Sequence, residues 1–173
     1  MSGKNKQKKW RQATKLVQGG IRRSQFEETS EGLYLTSGYV YPSPEEAEQA
    51  FKGDIKRYQY SRYANPTVNM FEERLALLDG ARFCFATSSG MAAVFASLAC
   101  MVGQGGRVVA ARALFGPCKT VITGILPRFG VEFELVDGRD EGQWKAALAK
   151  KTDAVFLETP SNPRLEMIDI EAV

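Results

Sequence analysis

The spacing of apolar residues changes character along this chain. Up to about residue 35 no period is sustained, and Gly19-Gly20 interrupts the run, which predicts an arm with little structure of its own. Glu45 to Phe51 then reads as a short helix, opened by Pro44 and capped by Ser43. After Asn65-Pro66, the residues Val68, Phe71, Leu75 and Leu78 recur at helical spacing until Gly80 closes the run. From there short apolar runs alternate with helical ones. Strands are predicted at Phe83 to Thr87, Arg107 to Ala111, Val131 to Val136 and Ala154 to Glu158. Between them lie a helix from Gly90 to about Val102, apolar on almost every side and so expected to be buried, one from Pro117 to about Leu126, and one from Glu141 to Lys150. Alternating strands and helices, with strands that are nearly continuously apolar, predict an open parallel α/β sheet with helices on its faces. Ligands of such sheets sit at the carboxyl ends of the strands.

Composition narrows the function classes. With 44% apolar and 25% charged residues, the 173-residue chain has the make-up of a globular domain. The net charge of +3 is unevenly spread: Lys4, Lys6, Lys8, Lys9, Arg11 and Lys15 crowd the first fifteen residues, leaving the rest of the chain net negative. A basic terminal arm is therefore expected to be solvated, and the remainder offers no basic face for nucleic acid. No apolar run has the length of a membrane span, and the N-terminus lacks a secretory hydrophobic stretch. Cys84, Cys100 and Cys118 form no Cys-x-x-Cys and are read as buried thiols of a reducing, cytoplasmic compartment. Histidine is absent, which removes His-based nucleophile triads and His-bearing zinc sites.

Four segments carry candidate chemistry. Tyr60-Ser61-Arg62-Tyr63-Ala64-Asn65-Pro66-Thr67 sets a phenol and a planar guanidinium, both suited to phosphate oxygens, before a helix that Asn65 caps and Pro66 opens. Its plain alternative is an exposed turn. Ser89-Gly90-Met91 places a glycine at a helix mouth, where free N–H groups and the helix dipole favour an anion; it is equally a Ser-capped helix needing none, and it lacks the Gly-Lys-Ser/Thr ending of a Walker loop. Phe115 precedes Gly116-Pro117 in the loop after the second strand, as a ring free to stack or as a core residue before a turn. Glu158-Thr159-Pro160-Ser161-Asn162-Pro163 follows the fourth strand, its prolines predicting a fixed extended path.

In that order, these segments resemble the pyridoxal-phosphate (PLP) enzymes of cysteine and methionine metabolism, which include cystathionine synthases and lyases and homoserine-ester sulfhydrylases. The likeness runs from about Thr14 to Val173. It implies a fold type I PLP-transferase-like α/β domain with a partial, mostly parallel sheet, helices on both faces and an extended N-terminal arm. Residues 1–60 then form the arm and cofactor-clamping loop region, and 61–173 the N-terminal part of the PLP-binding domain. The resemblance gives pyridoxal 5'-phosphate as cofactor. Tyr60 and Arg62 would bind its phosphate across a subunit interface, and Ser89, Gly90 and Met91 would do so through backbone N–H groups. Phe115 would stack on the pyridine ring where many members have tyrosine, so it lacks the hydroxyl that can aid proton transfer. Asn162 would lie near the cofactor's phenolic oxygen and the substrate carboxylate, with Tyr39 facing the substrate. The expected partners are a small amino-acid substrate and a second copy of the chain, in a homodimer or homotetramer with shared sites.

The resemblance places the Schiff-base lysine, in a Ser-x-Thr-Lys stretch, and the aspartate that protonates the ring nitrogen beyond Val173, so no catalytic residue is expected in this chain. Lys15, behind Ala13-Thr14, and Lys119 lack the matching context. Family members are about twice this length or more, and their strand order 1-7-6-5-4-2-3 separates strand 1 from strand 4 by three strands. The sulfhydrylase branch implies conversion of O-succinylhomoserine and sulfide to homocysteine and succinate. Cystathionine γ-synthesis, O-acetylhomoserine sulfhydrylation and a non-catalytic truncated partner remain as alternatives.

Overall fold

The computed structural model describes residues 9–173. They fall into two compact units, one ending at Ala86 and one beginning at Thr87.

The first unit is helical. It contains α1 (Gln12–Gln18), α2 (Pro44–Lys52) and α3 (Pro66–Asp79). The helix α1 corrects the expectation of an arm without structure. Seven residues do not sustain a helix in water; packing on α3 holds this one. Just beyond it, Arg74 Nε of α3 donates to the Gly19 carbonyl at 2.9 Å. Gly20 sits at φ +73°, and a Cβ there would come within 2.5 Å of the Met70 carbonyl oxygen, so only glycine lets the chain approach α3 this closely. The caps follow the sequence. The Ser43 hydroxyl accepts from Glu46 N–H at 3.2 Å, and Gly80 ends α3 in the left-handed region.

Asn65 does more than cap α3. Its Oδ1 accepts from Thr67 N–H at 2.9 Å, while Nδ2 donates to the Tyr34 carbonyl at 2.9 Å and to Ser61 Oγ at 3.0 Å. The residue is buried. Asn65→Ala should therefore cost this unit about 2 kcal/mol, combining a lost cap with unmet buried partners. Urea unfolding monitored by circular dichroism measures it. Asn65→Asp keeps the cap acceptor without the donors and should recover only part of the loss.

The second unit carries the sheet. Its elements are α4 (Gly90–Met101), β1 (Arg107–Ala111), α5 (Gly116–Thr120), β2 (Glu132–Val136), α6 (Glu141–Leu148) and β3 (Ala154–Phe156). The helix opened by Pro117 is not uniform: α5 passes into a π turn, Val121–Ile125, and a 3₁₀ turn, Leu126–Phe129. All strand pairs are parallel, in the order β2-β1-β3, with Ala111 opposite Val136 and Ala110 opposite Phe156. A central parallel strand is covered on both faces, and Val108, Val109, Ala110 and Ala111 are accordingly fully buried. Around them pack Leu98, Ile122, Leu126 and Trp144. Trp144 also donates its Nε1–H to the Gly138 carbonyl at 3.0 Å. A Cβ on Gly138 would lie 2.4 Å from Ile168 Cδ1, so this loop passes tight against the segment that returns after β3.

Several expectations need correction. Phe83 to Thr87 is not a strand, and Phe83 and Phe85 are exposed. A strand exists only by pairing, and among the described residues no neighbour offers it a ladder. Counted with that segment as the first strand, the observed order is 3-2-4, the end of the sheet that the family resemblance sets apart from strand 1. The predicted strand to Glu158 ends at Phe156. The helix α4 is not buried all round: Leu98 is, whereas Phe95 and Met101 are exposed, because the described residues cover only one stripe of it. Of the thiols, Cys118 is buried, Cys84 partly so and Cys100 exposed. The Thr159–Pro160 and Asn162–Pro163 peptide bonds are cis where an extended path was expected; the X–Pro amide has only a weak trans preference.

Candidate active site

In the first unit, the chain from Tyr34 to Tyr39 is laced to the loop that leads into α3. Gly38 and Tyr60 form an antiparallel bridge, Ser61 N–H donates to the Ser37 carbonyl at 2.9 Å, and the Ser61 hydroxyl donates to the Thr36 carbonyl. The Tyr39 hydroxyl lies 3.3 Å from Ser61 Oγ, so Tyr39 and the Tyr60 loop belong to one constellation. The Arg62 guanidinium lies over two rings, 5.1 Å from the Tyr60 centroid and 5.7 Å from that of Tyr63. Among the described residues no carboxylate pairs with it within 4 Å, and its donors face solvent. An aromatic seat that limits the head group's freedom while leaving its hydrogen-bond fork open suits an incoming anion.

In the second unit, three segments gather at or beside the carboxyl ends of the strands. At the mouth of α4 the Ser89 hydroxyl takes the Ala92 N–H at 3.1 Å. The N–H groups of Gly90 and Met91 have no acceptor within the helix, and nothing lies within 4 Å of where a Gly90 side chain would begin. Met91 in turn meets α5, its sulfur accepting from the Cys118 thiol at 3.9 Å. Burial first, and the Glu158 carboxylate second, push that thiol up from its ordinary pKa, so it stays protonated and able to donate.

Phe115 and Asn162 come together through a residue to which the sequence attached no role. Glu158 Oε2 accepts from Phe115 N–H at 2.7 Å, and Oε1 accepts from Asn162 N–H at 2.8 Å. The Asn162 loop is also pinned from below. Buried Ser161 exchanges bonds with Glu166, and Thr159 Oγ1 accepts from Ile168 N–H at 2.9 Å, which leaves the Asn162 side chain exposed at the tip. The Phe115 side chain is likewise half-exposed. Beside Asn162 opens a cavity of about 330 Å³ lined by Arg112, Lys119, Asp137, Arg139 and Glu166 among others. Arg139 is paired there with Asp137 and Glu166, while Arg112 and Lys119 have no acid within 4 Å among the described residues. Hydrogen bonds from the Arg139 backbone and side chain hold the Asp137 carboxyl below its ordinary pKa. The sequence signal for the cavity was only the presence of Arg112 and Arg139 one and three residues past predicted strands.

Strands running parallel, with their loops gathered at one end, place the second unit among the open α/β folds whose ligands occupy that end. The chain belongs to the Cys/Met metabolism PLP-dependent enzyme family, whose model matches residues 13–173. It is 59% identical over 162 residues to an O-succinylhomoserine sulfhydrylase of Mycobacterium tuberculosis, covering 94% of this chain and 40% of that protein. It is 38% identical over 160 residues to one of Pseudomonas aeruginosa, covering 92% and 40%. Among solved structures it resembles a Campylobacter jejuni protein assigned as an O-acetylhomoserine (thiol)-lyase and carrying N'-pyridoxyl-lysine-5'-monophosphate. That match has a TM-score of 0.84 and 28% identity, covering 94% of this chain and 40% of the other. The chain thus spans about 40% of the length of the relatives it matches. No helix among the described residues is long and apolar enough to cross a membrane.

Proposed function

We propose that this chain is the phosphate- and ring-binding portion of a PLP-dependent enzyme that replaces the γ-substituent of O-succinylhomoserine with sulfide, giving homocysteine and succinate. One observation carries the cofactor assignment: an open helix mouth at Gly90 and Met91, a half-exposed Phe115 ring and an exposed Asn162 amide occur within one unit at the ligand-binding end of its sheet. A phosphorylated aromatic cofactor needs these groups: anion donors, a stacking face and a donor to its ring oxygen. The choice of the succinyl ester rests on the 59% identical relative. The Campylobacter protein's name favours O-acetylhomoserine as the second reading.

When bound, the cofactor supplies the electron sink that the γ-replacement requires. The backbone N–H groups of Gly90 and Met91, in line with the α4 dipole, neutralise its phosphate. Tyr60 and Arg62 add directed donors to the same phosphate in a neighbouring subunit, which makes the functional unit at least a dimer. Phe115 holds the ring plane by stacking and, lacking a hydroxyl, moves no proton. Asn162 donates to negative charge on the ring oxygen and the substrate carboxylate, and Tyr39 lines the substrate side.

Full-length enzyme given O-succinylhomoserine and sulfide should release succinate and homocysteine in equal amounts, faster than it releases acetate from O-acetylhomoserine. No succinate release would overturn the proposed reaction, and faster acetate release would favour the second reading. For the cofactor contact, Phe115→Tyr should leave PLP affinity unchanged. Phe115→Leu should weaken it by about 0.5–1.5 kcal/mol, the value of an aromatic contact beyond its buried area. Fluorescence titration of the apoenzyme with PLP measures both.

A further inference from the structure

We infer that Glu158 is a positioning residue for the cofactor: its one carboxylate, set just past β3, holds the backbones of Phe115 and Asn162 at a fixed separation. The inference rests on the cofactor reading of those two residues proposed above. Phe115 lies in the loop after β1 and Asn162 in the loop after β3. The strands are adjacent and in parallel register, but their pairing ends at Ala110 opposite Phe156 and so does not by itself fix the two loops against each other. Glu158 supplies that connection, with Oε2 on Phe115 N–H at 2.7 Å and Oε1 on Asn162 N–H at 2.8 Å. Both partners are donors, so the bridge needs two acceptor oxygens. An ionised carboxylate offers acceptors only, and bonds to it are shorter and stronger than those between neutral groups. An amide of the same shape offers one acceptor and sets an NH₂ against the second N–H.

The bridge also explains why the acid stands at this position. Its side chain must reach across from β3 to the β1 loop and back onto its own loop four residues on. A ring that stacks and an amide that donates in the ring plane have to sit at right relative heights, and sub-ångström errors in such placement weaken binding. Phe115 N–H has no other acceptor among the described residues, and α5 begins at the next residue without a side-chain cap. Removing the carboxylate frees the start of α5 together with the ring.

The test uses full-length holoenzyme carrying Glu158→Gln, Phe115→Leu, or both, with apoenzyme titrated with PLP and the visible circular dichroism of the bound cofactor recorded. Glu158→Gln is expected to raise the PLP dissociation constant about 5- to 10-fold, less than the loss of a bond made to the cofactor itself because Glu158 acts on it only through the two loops it holds, and to reduce the cofactor's dichroism. The two losses should be less than additive in the double variant, because Glu158 acts through the ring that Phe115→Leu removes. Glu158→Asp, which keeps both acceptors on a shorter stem, should restore part of the affinity, and it stands in should the Gln variant fail to fold. Unchanged affinity and dichroism in Glu158→Gln, or in Glu158→Asp if only that variant folds, overturn the inference when Phe115→Leu weakens binding. Should Phe115→Leu itself bind PLP like the unmodified enzyme, the cofactor reading of Phe115 fails, and the inference with it.

Discussion

Arg62→Ala in the full-length enzyme should weaken PLP binding by about 1.5–3 kcal/mol, the range for a hydrogen bond to a charged group. That corresponds to a dissociation constant raised roughly 10- to 150-fold. The size follows from how the guanidinium is held. Its head lies 5.1 Å from the Tyr60 ring centre and 5.7 Å from that of Tyr63, and no carboxylate competes for it among the described residues. Little rotamer freedom is then lost when a phosphate arrives. Arg62→Lys keeps the charge but loses the planar fork, so it should fall between the two. If the contact is made to a neighbouring subunit, mixing Arg62→Ala with a variant lacking the Schiff-base lysine should restore part of the activity. One site of each mixed dimer then has both groups. Mixtures that stay inactive despite demonstrated subunit exchange would remove the shared-site proposal.

A second large effect is expected from Trp144→Ala. The side chain is 2% exposed and packs within the cluster around Val108 and Ile122. Truncating a buried aromatic of this size costs about 3–5 kcal/mol. It also strips the Gly138 carbonyl of the indole donor at 3.0 Å, at the loop where Ile168 closes in. Trp144→Phe retains most of the volume and loses the hydrogen bond, so about 1–2 kcal/mol is expected from it. Urea denaturation followed by far-UV circular dichroism separates the two variants.

How much of this was legible beforehand divides along a physical line. Features set by neighbours in sequence were readable: the caps at Ser43, Asn65 and Ser89 use oxygens two or three residues from the N–H groups they take. The strands β1 and β2 were readable because both runs start directly after a glycine, Gly106 and Gly130. Features that need distant partners were not. Phe83 to Thr87 has strand composition but no ladder, and α1 forms only by packing on α3. The apolar content of α4 reported what it could bury, not what the described residues do cover. Tyr60, Arg62, Phe115 and Asn162 were singled out by family resemblance rather than by periodicity. The bridging of Phe115 by Glu158 spans 43 positions, a relation that no local pattern contains.

The level start of the loops after the strands has a consequence for how the site can vary. Arg112 follows a strand end that sits opposite the residue before Asp137, and β3 ends one step away in the same register. At the centre of the ladder beneath, Val108, Val109, Ala110 and Ala111 are fully buried and line no part of that cavity. Substitutions among Arg112, Lys119, Arg139 and Arg164 therefore reshape the cavity mouth without touching the fully buried Val108–Ala111 core. The mouth of the cavity can therefore change its charge and shape while the scaffold beneath it stays the same.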